Sequence, residues 1–151
     1  MGIDTSGENL GLAICQDGDI MFSSLSRPGL RHGEIIQKVT KDFLLKNRIS
    51  FNDLSGVSVT IGPGSFTGLR IGLSAAKGYS YSLGIPLAGV STQNHQPTTN
   101  RPIASAFCLS ASSLAGWQPS QQRQSIIQTS HQLIENRQLQ KNLLPRFSPR
   151  D

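Results

Sequence analysis

Short apolar stretches and polar turns alternate along the first part of the chain. Apolar side chains dominate residues 1–5, 10–15 and 20–25, and the polar residues 6–9 and the turn Asp17-Gly18 separate them. Short apolar runs joined by tight turns predict β-strands. The chain therefore begins with a predicted antiparallel meander of three strands.

Apolar spacing typical of a helix follows in residues 33–46. Ile35, Val39 and Phe43 recur at intervals of four residues, which places them on one stripe of a helix. Residues 57–61 and 87–91 are predicted to form two further strands. In residues 57–61, apolar and polar side chains alternate and β-branched residues are frequent. Between these two strands, residues 69–83 predict a helix that packs closely through its small residues.

The order of these elements indicates a fold class. Three antiparallel strands followed by helix, strand, helix and strand is the order of a ribonuclease H-like lobe, the half-molecule of actin-like ATPases and sugar kinases. We therefore predict an α/β fold with a mixed sheet over residues 1–92.

The composition changes near residue 92. Fourteen of the fifteen glycines lie at or before Gly89, and the tail of residues 93–151 is rich in Gln and Ser. Residues 94–151 carry six Lys or Arg and two acidic residues, so most of the net charge of +5 belongs to the tail. We predict that the second lobe of the fold is missing or replaced, which would leave one side of the sheet exposed. An appended basic helix, a disordered end and a shifted reading frame all stay open for the tail.

The two cysteines, Cys15 and Cys108, form no CxxC or metal-ligand spacing. We expect two unpaired thiols in a cytoplasmic protein, because reducing compartments keep such thiols free. No stretch approaches the ~20 consecutive apolar residues that a membrane span needs. We therefore expect no membrane association.

A glycine-rich turn, residues 62–68, joins the fourth predicted strand to the second predicted helix. Its glycines allow unusual backbone angles, and the helix N-terminus offers unpaired N–H groups to an anion. The stretch lacks the GK[ST] ending that would place a lysine on a phosphate. Two interpretations stay open, a tight packing turn and an anion or nucleotide contact. The residues of the second interpretation are Asp4, Thr5, Ser6, Gly62, Gly64, Ser65, Thr67 and Gly68.

We predict neither catalytic residues nor a metal site. Ser65 lies outside any GxSxG elbow and has no assignable His and Asp partners, so a hydrolase is not supported. His32 has no second His four residues further on, where Ile36 stands. A histidine pair at that helical spacing would be needed for a metal site.

Several stretches of the first part form a pattern that points to a known family. They are IDTS near the N-terminus, RHGE at the first helix, and GPGSFTGLRIGLSAAKG followed by GIPLAGVST. Together they resemble the bacterial TsaB family, also called YeaZ, over residues 1–92.

The resemblance implies a non-catalytic subunit. Proteins of this family pair with a larger paralogue, TsaD, and with the ATPase TsaE to add threonylcarbamoyl to the adenosine beside the anticodon of tRNA. The chemistry belongs to TsaD, so the resemblance implies that this chain binds and activates the paralogue and meets tRNA only through the complex. It implies no cofactor beyond a weak contact with ADP or ATP at the complex interface.

The two predicted helices form the expected partner surface. Its residues are Ile35, Ile36, Val39, Phe43, Leu44, Leu69 and Leu73. Alternatives from other classes stay open, namely a nucleotide-binding fragment of an actin-like phosphotransferase, a truncated and inactive TsaB, and a basic tail that binds tRNA directly. A homodimer also stays open.

Overall fold

The computed structural model describes residues 1–27, 31–92 and 118–143. Within these residues the chain forms strands β1 (Gly2–Asp4), β2 (Leu10–Gln16), β3 (Asp19–Ser26), β4 (Val57–Gly62) and β5 (Leu87–Ser91). The α-helices are α1 (His32–Lys46), α2 (Phe66–Leu83) and α3 (Gln122–Leu143), and short 3-10 turns span Phe51–Asp53 and Pro119–Gln121.

The strands form one mixed sheet in the order β3-β2-β1-β4-β5. Strand β2 runs antiparallel to both β1 and β3, while β4 runs parallel to both β1 and β5. The predicted meander, the two later strands and the two helices between them are confirmed.

One face of the sheet carries the main apolar core. Alternation along the strands directs Ile3, Leu12, Val57 and Val59 toward the helices, and all four are buried. Burying an aliphatic side chain of this size stabilises the fold by roughly 1.5–3 kcal/mol. The helices contribute buried side chains to the same cluster, among them Ile36, Phe43, Leu44, Leu69, Leu73 and Leu133.

The other face of the sheet is not bare. Ala13, Ser58, Thr60 and Val90 point away from the main cluster and are nevertheless buried. The prediction that one side of the sheet would be exposed is therefore wrong at these positions. The exposed large apolar side chains of the sheet are those of the edge strand β3, namely Met21, Phe22 and Leu25.

Local chemistry sets the ends of α2. The helix begins at Phe66, three residues before the predicted start, because the Ser65 hydroxyl accepts a hydrogen bond from the Gly68 amide and caps it. It ends at Gly84, whose φ of 67° lies in the left-handed region that glycine adopts without a Cβ clash. A capping box is also present, formed by Ser50 and Asp53 at the 3-10 turn before β4.

Helix α3 lies in the tail that the composition set apart. It packs against β4, β5 and α2, with Thr129 and Leu133 buried. Residues 93–117 and 144–151, the rest of the tail, lie outside the described residues.

Two expectations about the chain as a whole can be compared with the structure. Cys15 is disulfide-bonded, so the prediction of unpaired thiols is wrong for this residue, and Cys108 lies outside the described residues. None of the helices in the described ranges is long and apolar enough to cross a membrane.

Candidate functional site

Two loops meet where β1 and β4 end. The first is the turn after β1, and the second is the glycine-rich turn between β4 and α2. The Ser65 amide donates a 2.7 Å hydrogen bond to the Ser6 carbonyl, and the Thr5 hydroxyl donates a 2.8 Å hydrogen bond to the Gly68 carbonyl. The residues predicted to contact an anion therefore belong to two segments that touch.

Asp4 is buried at the end of β1 and ties these segments to the sheet. Its Oδ1 atom accepts hydrogen bonds from the Ser6 amide and from the Thr60 hydroxyl, both at 2.9 Å. The carboxylate thus satisfies buried donors of the protein itself. It also adds negative charge to this corner, which favours a structural role over contact with a phosphate.

Three glycines allow the close contact between the loops and α2. A Cβ atom at Gly64 would lie 2.6 Å from the Ser6 carbonyl oxygen, and one at Gly68 or Gly72 would lie within 3.0 Å of Thr5. Only a residue without Cβ fits such distances. Close packing alone therefore explains these three glycines.

Several donors of the glycine-rich turn are already used inside the chain. The Ser65 amide donates to Ser6, and the Gly68 amide donates to the Ser65 hydroxyl at 3.3 Å. The Thr92 hydroxyl closes the far side of the turn by donating to the Pro63 carbonyl. The geometry favours the packing turn, and the anion contact stays a prediction.

A groove of about 540 Å³ runs between α1 and α2 on the surface of the protein. Below it, the Tyr79 hydroxyl donates a 2.6 Å hydrogen bond to Oε1 of Gln37 and joins the two helices. Burial raises the pKa of Tyr79 above its ordinary value of 10.0, and the Thr40 hydroxyl opposes this shift. We call this cavity the α1–α2 groove. The residues that line it are Gly33, Ile36, Gln37, Phe66, Thr67, Arg70, Ile71, Ser74 and Ala75.

Most of the predicted partner surface lies in the core of the protein. Ile36, Phe43, Leu44, Leu69 and Leu73 are each at most 7% exposed, because they pack against the sheet. Ile35 and Val39 are half-buried. The apolar stripe of α1 thus holds the helix on the sheet, and the five buried side chains are not available to a partner.

Sequence reasoning missed a cluster at the start of α2. The guanidinium carbon of Arg137 in α3 lies 4.0 Å from the ring centroid of Phe66, and that of Arg70 lies 5.4 Å from the same centroid. Arg70 lies inside the GPGSFTGLRIG stretch, but Arg137, which contacts the same ring, lies 67 positions further along the sequence. Spacing along the chain gives no signal for such a pair.

A comparison with protein-family models establishes the relationship. The model of TsaD, tRNA N6-adenosine threonylcarbamoyltransferase, matches residues 29–108, which is more than half of the chain. The chain belongs to this family. The match includes both walls of the α1–α2 groove and the glycine-rich turn, and it continues beyond residue 92.

Relatives named TsaB and relatives named as the TsaD enzyme are both similar to the chain. The tRNA threonylcarbamoyladenosine biosynthesis proteins TsaB of Bacillus subtilis and Escherichia coli are 33% and 34% identical over 92 residues. These alignments cover 61% of this chain and 40% and 39% of the relatives. A tRNA N6-adenosine threonylcarbamoyltransferase of Geotalea uraniireducens is 30% identical over an alignment 106 positions long, which covers 60% of this chain and 31% of that protein.

A solved structure shows the same fold. YeaZ from Pseudomonas aeruginosa superimposes with a TM-score of 0.55 at 26% identity, over 60% of this chain and 42% of that one. The TsaB (YeaZ) resemblance and the ribonuclease H-like, actin-like α/β class are thereby confirmed. The chain spans about two fifths of the length of these TsaB and YeaZ proteins.

Within this TsaB-like chain, the described residues contain no group of three or more His, Cys, Asp or Glu side chains able to hold a metal ion. Ile36, four residues after His32, is a buried member of the core. A second ligand on that helical face would have to replace a core side chain.

Proposed function

We propose that this chain acts in the formation of threonylcarbamoyladenosine in tRNA as a non-catalytic subunit that binds a TsaD-like paralogue through the α1–α2 groove. Binding would hold and activate the paralogue, which carries out the transfer. A TsaE-like ATPase would complete the assembly in the cytoplasm, and tRNA would meet the paralogue there.

The α1–α2 groove is the observation that carries this proposal. It is open to solvent, and it lies in the part of the chain that matches TsaB and TsaD proteins. Gly33, Ser74 and Ala75 leave room along it, which allows a partner helix to approach closely. The half-buried Ile71 supplies apolar surface at its base, as the centre of a protein interface requires.

The binding surface therefore differs from the stripe that periodicity predicts. Substitutions that test the interface should therefore be made at exposed residues of the rim, such as Gln37 and Ser74, and not at the buried leucines. A partner helix in the groove would cover these side chains without disturbing the core.

Co-purification with the TsaD-like protein of the same genome tests the proposal. The variant Ser74→Arg places a long charged side chain in the groove at an exposed position of α2. The variant Ser23→Arg makes the same change at an exposed position on the edge strand β3. Both variants should fold, because neither position belongs to the core.

We expect Ser74→Arg to abolish co-purification and Ser23→Arg to retain it. Circular dichroism spectra of both variants should match that of the unchanged chain. Equal retention of the paralogue by both variants would show that the groove is not the interface. Failure of the unchanged chain to retain the paralogue would contradict the proposed function as a whole.

Nucleotide would bind weakly at the glycine-rich turn, because its amides are partly used and it contains no lysine. ADP should therefore bind the complex more tightly than the isolated chain, without hydrolysis of ATP. Calorimetric titration of both forms with ADP measures this difference. Tighter binding by the isolated chain would remove the idea of a nucleotide contact at the complex interface.

A further inference from the structure

Two arginine side chains from distant parts of the chain meet on one aromatic ring. The guanidinium carbons of Arg70 and Arg137 lie 5.4 and 4.0 Å from the ring centroid of Phe66. A guanidinium stacked on a ring contacts it with its flat face and keeps the N–H groups of its edge free. The ring thus orders two cationic groups without using their hydrogen-bond donors.

Helix α2 brings no acidic side chain to this cluster, and the acidic residue nearest to it in sequence is Glu135, two positions before Arg137. The chain has no Asp or Glu between Asp53 and Glu135, and α2 contains neither residue. In the part of the chain that the structure describes, the one salt bridge joins Arg31 and Glu34, remote in sequence from the cluster. The positive charges of Arg70 and Arg137 are therefore not compensated by an ion pair within the described residues.

The start of α2 adds a partial positive charge at Phe66, while the Asp4 carboxylate in the neighbouring turn is already bound by the Ser6 amide and the Thr60 hydroxyl. Ser65 caps the helix, and its first turn contains no acidic residue that would offset the positive end of the helix dipole. Two like-charged groups held together beside this end repel one another. A bound anion would relieve that repulsion, and phosphate oxygens suit the planar donor edge of arginine.

We propose that Phe66, Arg70 and Arg137 form a phosphate-binding site, which we call the Arg–Phe–Arg site, and that its ligand is the backbone of RNA. Two guanidinium groups on one ring, with no acidic residue on α2, favour a ligand with several phosphate charges over a single carboxylate. The site is open at the surface, where both arginines are exposed, as contact with an RNA backbone requires.

This inference goes beyond the proposed function, because it concerns direct contact of the isolated chain with RNA. Phe66 and Arg70 also line the α1–α2 groove, whereas Arg137 belongs to α3 and lies outside that lining. Arg137 variants therefore separate the two activities, because they should weaken RNA binding and leave co-purification with the paralogue unchanged.

Fluorescence anisotropy with a labelled, unmodified tRNA transcript tests the site on the full chain. Arg137→Gln and Arg70→Gln each remove one guanidinium from the ring. Arg123→Gln is the matched control, because it removes the same charge from an exposed position at the other end of α3. Arg137→Lys keeps the charge but lacks the flat, branched donor group.

We expect Arg137→Gln and Arg70→Gln each to weaken RNA binding about fivefold or more and to lower the slope of log K against log salt by about 1. Arg123→Gln should change the affinity less than about twofold, and Arg137→Lys should give an intermediate loss. Circular dichroism should show that every variant remains folded.

Several results would overturn the proposal. Equal effects of Arg123→Gln and Arg137→Gln would show that net charge, not the site, binds RNA. Direct binding of ADP or inorganic phosphate at millimolar concentration, with no binding of the transcript, would assign the site to small phosphates. Absence of transcript binding at low salt, with only an acidic protein partner retained through Arg137, would assign it to a protein contact.

Discussion

Helices α2 and α3 both pack on the sheet, but of the side chains that the structure describes, α3 contributes Leu133 alone to the buried apolar cluster, where α2 contributes several. Helix α2 contacts the sheet through apolar and very small residues, with Leu69, Leu73 and Ala76 buried and Gly68 and Gly72 against Thr5. Helix α3 uses polar side chains directed at main-chain carbonyls. Gln122 donates to Ser80 at 2.6 Å and Asn136 donates to Ile61 at 3.1 Å.

The polar contacts of α3 recur every seven residues. Between Gln122 and Asn136, the Thr129 hydroxyl lies 3.4 Å from the Leu87 carbonyl and 2.8 Å from that of Ser125 in its own helix. Such contacts satisfy carbonyl groups but remove little apolar surface from water, so each contributes only about 0.5–1.5 kcal/mol. From this difference we expect α2 to unfold with the core and α3, which adds Leu133 and these polar contacts, to be held less strongly.

The largest effect should come from a core side chain of α2. Leu69→Ala leaves a cavity under a residue that is 2% exposed, and we expect a loss of about 2–5 kcal/mol in the free energy of unfolding. Leu139→Ala, at a leucine of α3 that is 59% exposed, should change it by less than about 0.5 kcal/mol. Urea unfolding followed by circular dichroism measures both, and equal losses would contradict the distinction between the helices.

Replacing two glycines of α2 by alanine should change the free energy of unfolding in opposite directions. Gly68→Ala forces a Cβ onto the Thr5 carbonyl, and we expect a loss of about 1–3 kcal/mol. Gly78→Ala meets open space on the exposed face and should stabilise the helix by up to about 1 kcal/mol. Thermal unfolding of the two variants checks the sign, and stabilisation by Gly68→Ala would show that the loops do not press on α2.

The main elements could be predicted from the sequence because their apolar spacing reflects how they are buried. Ile36 and Phe43 on α1 and the alternation of Val57 and Val59 on β4 each mark a face that meets the core. An apolar stripe does not reveal whether its own sheet or another protein covers it, and five of the seven side chains predicted for the partner surface are buried on the sheet.

Other features could not be read from one-dimensional spacing. The docking face of α3 combines Leu133 with polar side chains such as Thr129 and Asn136, so hydrophobic periodicity gives only a weak helical signal there. The Arg–Phe–Arg site joins Phe66 to Arg137 across the fold, and the α1–α2 groove exists only once both helices lie on the sheet. The glycines of residues 62–68 were predicted to matter, and the structure supplies the reason in the contacts of Gly64 and Gly68.

A smaller effect is expected from a polar contact of α3. Asn136→Ala removes the hydrogen bond to the Ile61 carbonyl, and we expect a loss of about 1 kcal/mol. Gln128→Ala, at an exposed position of the same helix, is the control and should be close to neutral. Hydrogen exchange of the α3 amides should accelerate in Asn136→Ala alone, while exchange in α2 stays unchanged. Faster exchange in both helices would mean that α3 unfolds together with the core.

The pH dependence of stability should reflect Tyr79 between α1 and α2. Burial raises its pKa in the folded chain above the ordinary value of 10.0, so the unfolded chain loses the phenolic proton first as pH rises. This contribution is complete below pH 10 and is lost above it. Tyr79→Phe should therefore show a shallower decline in alkaline urea unfolding curves, although it lacks the hydrogen bond to Gln37 at every pH. Parallel declines in both proteins would contradict the assignment.

Hydrogen exchange with and without the TsaD-like paralogue tests most directly whether the α1–α2 groove is the binding surface. On complex formation, amides in the first turns of α1 and α2, which border the groove, should exchange more slowly. Amides of the edge strand β3 should keep their rates. Protection confined to β3 or α3, with the groove unchanged in a complex that does form, would contradict the account.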